Sequence, residues 1–389
     1  MALRAIVIGA GWAGEGHVVG LRDAGVDVVA LCGRTPEPAR QRAAQLGVAE
    51  VRFDWRAAIE EFRPDIVSIG VPAAPHREMA EFAAQAGCHL VCEKPLATSA
   101  ADALAMLEAV ERSGVKHAYA ATGCYSPAVI HTQALIAQGA IGQLREVESV
   151  LRLFVSAGAW RYCWVHELEQ GGGLLNNIFV HKLVQVLRAT GGVARAAAGE
   201  ARASANPVPV GPPIHDFREL FDPSKGWDPA QVAEWRQADA DMAYTVMTRI
   251  RTPDGNDVDA LFRASLFGTT PHPEYLAFYG DAGALYMTGE HGAEDHIKRF
   301  VPEREAWEDV PIPSELIAAL PPGEDLVQRC WNQFFREFVA DVRGEGYTGY
   351  PTFRDGWTAV EIMDIARAQA GWTALPEWLG ARAAQSAAA

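Results

Sequence analysis

Strand and helix signals alternate through the first 120 residues with a regularity that leaves few folds open. Near-continuous apolar runs at residues 5–9, 26–32, 65–70, 88–92 and 117–122 have strand length. Helical stretches lie between them at about 14–24, 36–46, 76–86 and 101–112. Strands apolar on both faces belong to parallel sheets covered on both sides by helices. Glycines 47 and 87 end two of the helices and short links follow, as such units require. The pattern predicts an α/β protein whose residues 1–123 form a doubly wound, Rossmann-type parallel sheet.

The first connection of this sheet is glycine-rich. Gly9, Gly11 and Gly14 have the spacing of a dinucleotide turn, with a strand before and a helix after. The first two permit a tight turn and close backbone approach to a pyrophosphate, and the third lets helix and strand pack. The helix start at Trp12 and Ala13 supplies amides and partial positive charge. An acid at the end of the second strand would accept the ribose 2′-hydroxyl of NAD(H). This chain has Cys32-Gly33-Arg34-Thr35 there instead. A guanidinium and a hydroxyl suit a 2′-phosphate, so Gly33, Arg34 and Thr35 favour NADP(H) over NAD(H).

Beyond residue 125 the pattern changes. Residues 129–138 read as a helix, and 144–155, 242–251, 257–267 and 274–280 as strands. Pro253-Asp254-Gly255 makes a hairpin turn between two of them. Strands joined by turns predict a second α/β domain over 124–389 with an open, mostly antiparallel sheet. Residues 194–238, rich in Pro, Asp and Trp, read as an irregular insertion. Residues 325–342 and 354–370 read as helices, and 385–389 as a frayed end.

Composition narrows the partners. The 389 residues carry 49 acidic and 34 basic side chains, and the net charge of −15 disfavours nucleic acid and anionic membrane. The first apolar run is too short for a signal peptide, and no segment approaches the roughly 18 apolar residues of a membrane span. A cytoplasmic protein is expected. Cys32, Cys88, Cys92, Cys124, Cys163 and Cys330 suit reduced core thiols, and no set of His, Cys and acids has metal-ligand spacing.

Chemistry is expected at Lys94. Ligands of open α/β sheets bind at the carboxyl ends of strands, and Glu93-Lys94-Pro95 closes the run at 88–92. A lysine beside a nicotinamide can give a hydrogen bond or proton to a substrate oxygen as hydride adds to a carbonyl. In reverse it takes the proton of an alcohol. Glu93 is a candidate ion-pair partner for it, and Pro95 fixes the exit of the chain.

These features fall in an ordered series. It comprises Gly9-x-Gly11-x-x-Gly14-x-x-His17, Val71-Pro72-x-x-x-His76, the 87–95 segment and Gly139-x-Ile141-Gly142. Gly171-Gly172-Gly173 with His181 downstream, Tyr279 through Leu285, and Phe353-x-Asp355-Gly356 complete it. In this series the chain resembles, over nearly its full length, the Gfo/Idh/MocA family, the glucose–fructose oxidoreductase and inositol dehydrogenase group. The resemblance implies a Rossmann domain and a second domain that binds substrate and whose open sheet forms a homodimer or homotetramer. It also implies that Lys94 is catalytic, that Val71, Pro72, His76 and Glu93 border the cofactor, and that a helix after the Gly171 loop lines the substrate site. Many members carry an aspartate four residues before the histidine of that helix and another three after it. Asn177 and Val184 stand at those positions here.

Positions four apart share a helical face, so Asn177 and His181 are both expected at the substrate. Asn177 can hydrogen-bond a hydroxyl but cannot titrate. Tyr125, Trp160, Arg161, Tyr162 and His166 lie on segments expected to border the same cleft. A tyrosine hydroxyl there is an alternative acid, and the tryptophan and arginine offer an apolar face and a cation. His17 is expected to shape the cofactor turn.

Together these features predict an NADP(H)-dependent oxidoreductase that moves hydride between nicotinamide and a sugar, cyclitol or related carbonyl or alcohol compound. Lys94 would face the substrate oxygen, with His181 as acid/base or orienting group. Two alternatives stay open. A redox-neutral, NAD(P)-assisted glycoside or sugar conversion would keep a cofactor that co-purifies and is never released. A non-catalytic, cofactor-sensing protein would bind dinucleotide and turn over no carbonyl or alcohol.

Overall fold

A computed structural model describes residues 2–153, 160–203, 206–214, 216–220, 228, 232–268, 274–289 and 296–376. The apolar runs of the first part form strands β1 (Arg4–Ile8), β2 (Asp27–Cys32), β3 (Glu50–Arg52), β4 (Ile66–Ile69), β5 (His89–Cys92) and β6 (His117–Tyr119). All pair in parallel, in the order β3-β2-β1-β4-β5-β6. Helices α1 (Trp12–Asp23), α2 (Pro36–Leu46), α3 (Trp55–Phe62), α4 (His76–Gln85) and α5 (Ala100–Ser113) connect them. The order reverses between β1 and β4, so the glycine turn after β1 opens at the switch point where such sheets bind ligands. Burial agrees with the pattern: Ala5, Ile6, Val7, Ile66, Val67, Leu90 and Val91 have no exposed surface.

One strand–helix unit was not foreseen. β3 is a three-residue edge strand with charged ends, too short and polar to announce itself. α3 follows it, capped by Asp54, whose carboxylate accepts the Arg56 and Ala57 amides.

The second sheet is built from β7 (Leu144–Arg152), β8 (Val193–Ala203), β11 (Asp241–Arg251), β12 (Asp257–Ser265), β13 (Glu274–Gly280), β14 (Gly283–Thr288), β15 (His296–Val301), β16 (Ala306–Val310) and β17 (Thr373–Ala374). A separate two-stranded ribbon joins β9 (Val208–Pro209) and β10 (Trp235–Arg236). The large sheet runs β16-β15-β14-β13-β7-β12-β11-β8-β17. Only β7 and β12 are parallel neighbours in it, so it is mixed and mostly antiparallel. Its helices are α6 (Pro127–Ala137), α7 (Val180–Thr190), α8 (Ser314–Ala319), α9 (Leu326–Val342) and α10 (Phe353–Arg367).

The reading of 194–238 as irregular fails over its first ten residues. β8 pairs with β11 from Val193 to Ala203. Its alanines carry little strand preference of their own, and pairing imposes the conformation. Their smallness serves packing: a Cβ on Gly199 would stand 3.2 Å from the Ala366 Cβ of α10. Parts of 204–238, and the expected frayed end at 385–389, lie outside the described residues.

The last helices return to the first sheet. A Cβ on Gly16 would stand 2.1 Å from the Trp331 ring, and one on Gly20 would stand 2.3 Å from the Phe335 ring. The two glycines thus open a groove on α1 that α9 fills with aromatic rings. Buried residues of both sheets and these helices form one continuous core.

Candidate active site

The turn after β1 has the shape a dinucleotide needs. Gly9 adopts φ +129°, and a Cβ there would lie 2.2 Å from the Gly70 carbonyl oxygen. A Cβ on Gly14 would lie 1.9 Å from the Gly9 oxygen. Both contacts are to backbone, so neither glycine accepts a side chain. Gly11 caps α1 in extended conformation with no side-chain cap. The first-turn amides of α1, where Trp12, Ala13 and Gly14 stand, therefore face the turn as an anion site. Trp12 packs on Trp331 at 5.1 Å and stacks on Phe217 at 6.5 Å.

At the end of β2, Gly33 donates to the Arg52 oxygen (3.0 Å). Arg34 and Thr35 are exposed, and Arg34 has no ion-pair partner among the described residues. Thr35 caps α2 without bonding its hydroxyl to the helix. A neighbouring cluster encloses this loop: Arg42 bonds Glu15 (2.6 Å) and Asp216 (2.8 Å) and reaches the Ala10 oxygen (3.3 Å). Val71 and Pro72 follow β4. His76 is buried between two carbonyls, with Nε2 2.8 Å from the Val71 oxygen and Nδ1 3.1 Å from the Leu96 oxygen. Burial holds it below the ordinary histidine range. It ties the loop after β4 to the segment after Pro95.

Glu93 and Lys94 end β5 and divide the work between them. Glu93 is buried; Oε1 accepts from His17 Nε2 (3.2 Å), and Oε2 accepts from the Lys94 backbone amide (3.0 Å). His17 Nδ1 in turn lies 2.8 Å from Ser68 Oγ. Burial pushes the Glu93 carboxyl up, but the His17 hydrogen bond and charge, with the Lys94 charge and amide, hold it below its usual range. Glu93 thus anchors the backbone of Lys94, and the expected side-chain ion pair is absent among the described residues. The Lys94 Nζ donates instead to Asn177 Oδ1 at 3.4 Å. Burial drives the ammonium below its ordinary range, against the pull of the Glu93 charge.

The facing wall comes from the Gly171 loop. A Cβ on Gly173 would lie 2.6 Å from the Asp241 carboxylate, which accepts from the Leu175 amide (2.7 Å) and from Arg367 (3.3 Å). A π-helical turn, Leu175–Phe179, precedes α7. Asn177 Nδ2 donates to the Gly173 oxygen (2.8 Å), which fixes the amide so that its oxygen meets Lys94. His181 follows one turn later, and both residues line one cavity of about 490 Å³. Lys182 and Glu274 form an ion pair in the same wall.

The remaining candidates separate. Trp160 lines the cavity. Arg161 is buried and pairs with Glu219 at 3.3 Å. Tyr162 stacks on His166 at 5.6 Å, with Arg236 5.5 Å from its ring. His166 is buried, accepts from the Cys163 amide (3.2 Å), and is pushed down to about 4 by burial. Of these three, His166 meets the Trp160 ring edge-on at 6.4 Å. Tyr125 lies elsewhere: its hydroxyl donates to Glu337 (2.8 Å) and its ring meets Phe334 of α9. Sequence reasoning missed Glu274, Lys182, Asp241 and Phe217, which come together only through the fold.

Two family models match the chain. One, described as an oxidoreductase family with an NAD-binding Rossmann fold, covers residues 3–120, and the GFO/IDH/MocA C-terminal domain covers 129–286. The chain belongs to the Gfo/Idh/MocA family. Among its relatives, D-apiose dehydrogenase of Paraburkholderia graminis is 35% identical over 137 residues, 35% of this chain and 36% of that protein. Levoglucosan dehydrogenase of Pseudarthrobacter phenanthrenivorans is 32% identical over 151 residues, 38% of each. This chain therefore matches little more than a third of the length of these curated relatives. A structure of levoglucosan dehydrogenase in complex with NADH and levoglucosan superposes over 97% of this chain and 100% of that one, with a TM-score of 0.75 at 22% identity. That likeness is one of fold.

Within this Gfo/Idh/MocA chain, Lys94 Nζ thus meets a neutral amide at Asn177. The amide accepts from Nζ without carrying a full negative charge, so it offsets the effect of burial on the ammonium less than a carboxylate would.

Proposed function

We propose that the protein is an NADP(H)-dependent oxidoreductase that moves hydride between nicotinamide and a carbon of a sugar, cyclitol or related carbonyl or alcohol compound. The observation that carries this reading is Lys94. It stands at the carboxyl end of β5, anchored through Glu93 and His17, with Nζ directed to Asn177 on the cavity wall. The nicotinamide supplies or accepts the hydride. Lys94 holds the substrate oxygen and gives or takes its proton, and Asn177 and His181 orient the hydroxyls from the 124–389 part of the chain. Val71, Pro72 and His76 border the cofactor. Arg34 and Thr35, exposed and without an acid beside them, support the 2′-phosphate form, although the levoglucosan dehydrogenase neighbour carries NADH.

Lys94→Ala tests the reading. Turnover of a sugar panel should fall by about 10²- to 10⁴-fold, while NADPH affinity measured by fluorescence stays within a few-fold. Unchanged turnover overturns the role of Lys94. Stronger thermal stabilisation by NADH than by NADPH overturns the cofactor preference.

The open face of the second sheet supports a homo-oligomer. Met247, Tyr275, Tyr286 and Trp307 share that face by their strand pairing, with Met247 38% and Trp307 48% exposed. Light scattering that shows only monomer at micromolar concentration overturns this.

A further inference from the structure

The candidate substrate cavity is mostly apolar. Of its fifteen described lining residues, ten are apolar. Asn177 and His181 lie on one wall, along the helix that meets Lys94. The charges of Lys182 and Glu274 cancel in their ion pair, so the described wall presents no net charge to a phosphate or carboxylate. The apolar majority includes Leu151, Leu153, Leu266 and Met242 from the strand ends, with Trp160 and Phe217.

Phe217 is held there by construction. Its ring lies 5.9 Å from Trp164 and 6.5 Å from Trp12, and its neighbour Asp216 is bonded to Arg42 of the cofactor domain. A bare monosaccharide carries a hydroxyl on nearly every carbon. Each hydroxyl buried against such walls without a partner weakens binding by on the order of tenfold. The volume of about 490 Å³ is that of a site for a ring system plus a substituent, within the roughly 300–1,000 Å³ of drug-sized pockets.

We propose that the substrate is a neutral glycoside bearing an aryl or alkyl group, with its sugar ring at Lys94, Asn177 and His181 and its apolar group in the cavity between Trp160, Phe217 and the strand-end leucines. This rests on the oxidoreductase reading for the sugar end, and on the cavity alone for the apolar end. The sugar end presents few donors and acceptors, so the apolar group carries most of the discrimination.

The test compares methyl, phenyl and hexyl glycosides of D-glucose and D-xylose, both anomers, and the free sugars, on the full-length protein with NADP⁺. Dissociation constants come from calorimetry and kcat/KM from NADPH formation. Phenyl and hexyl glycosides should bind about tenfold to a hundredfold tighter than their methyl counterparts, with kcat/KM rising in parallel. Leu153, 40% exposed at the cavity rim, tolerates a polar residue. Leu153→Asn should reduce the phenyl-to-methyl ratio at least threefold. Phenyl and hexyl glycosides that bind no better than methyl ones, or not at all, overturn the proposal, as does a ratio that Leu153→Asn leaves unchanged. Free sugars turned over faster than any glycoside overturn it while sustaining the oxidoreductase reading. Tight phenyl binding with no turnover of any compound sustains the apolar site and overturns the oxidoreductase reading.

Discussion

Asn177→Asp puts a carboxylate where Lys94 now meets an amide, and the outcome is calculable. Lys94 Nζ faces a neutral amide oxygen, and burial holds the lysine below its usual range, with the Glu93 charge pulling the other way. A carboxylate at the same 3.4 Å would attract the ammonium by about 5 kcal/mol at an effective dielectric of about 20. Desolvation of the new charge offsets part of this, and the net effect moves the Lys94 midpoint up by about one to three pH units. Alcohol oxidation needs Lys94 unprotonated, so kcat/KM rises with pH through that midpoint, and in the variant the rise moves to higher pH. Carbonyl reduction needs it protonated, so the fall in kcat/KM with pH also moves higher. The assay is kcat/KM in both directions between about pH 6 and pH 11 on both proteins. Superimposable profiles, or a shift toward acid, would refute the contact between Lys94 and residue 177.

Three further perturbations read other parts of the site. Gly14→Ala drives a Cβ to 1.9 Å from a backbone oxygen that cannot swing aside; it should cost about 1–3 kcal/mol in a denaturant melt and abolish stabilisation by NADPH. On the proposed NADP(H) reading, Arg34→Ala should weaken NADPH binding about tenfold and leave NADH within about twofold, because the guanidinium would meet only the 2′-phosphate; equal losses in a fluorescence titration refute that placement. Glu93→Gln should lower the melting temperature at neutral pH. The Glu93 carboxyl is held below its usual range in the folded protein. Its contribution is therefore present above the unfolded value near 4.3 and fades as pH falls through the folded one. The gap between variant and wild type should narrow below about pH 4, which a thermal melt series reports.

The features legible in the sequence are those carried by local pattern. Apolar runs of strand length, glycines at fixed offsets and a lysine closing β5 each state their role within a dozen residues, and five of the six strands of the parallel sheet and its glycine turn follow from them, the polar edge strand β3 excepted. β8 was hidden because its alanines say nothing until β11 and α10 lie beside them. The Lys182–Glu274 pair and the Phe217–Trp12 stack join segments far apart in the chain, and no periodicity records such a meeting. Glu93, expected as the ion-pair partner of Lys94, holds the Lys94 backbone amide instead: the carboxylate turned toward His17, a buried residue within four positions of the α1 glycines.

The seating of α9 on α1 also sets an order of assembly. Trp331 and Phe335 pack edge-on against His17 and close the groove at Gly16 and Gly20, although they belong to the far end of the chain. At about 5–20 residues per second, ribosomes release the first sheet roughly 10–40 s before these rings are made. Through that interval the groove at Gly16 and Gly20 and the ring of His17 lack the rings that pack on them. A chain that stops before α9 therefore leaves the groove at Gly16 and Gly20, and the edge of His17, without their aromatic cover.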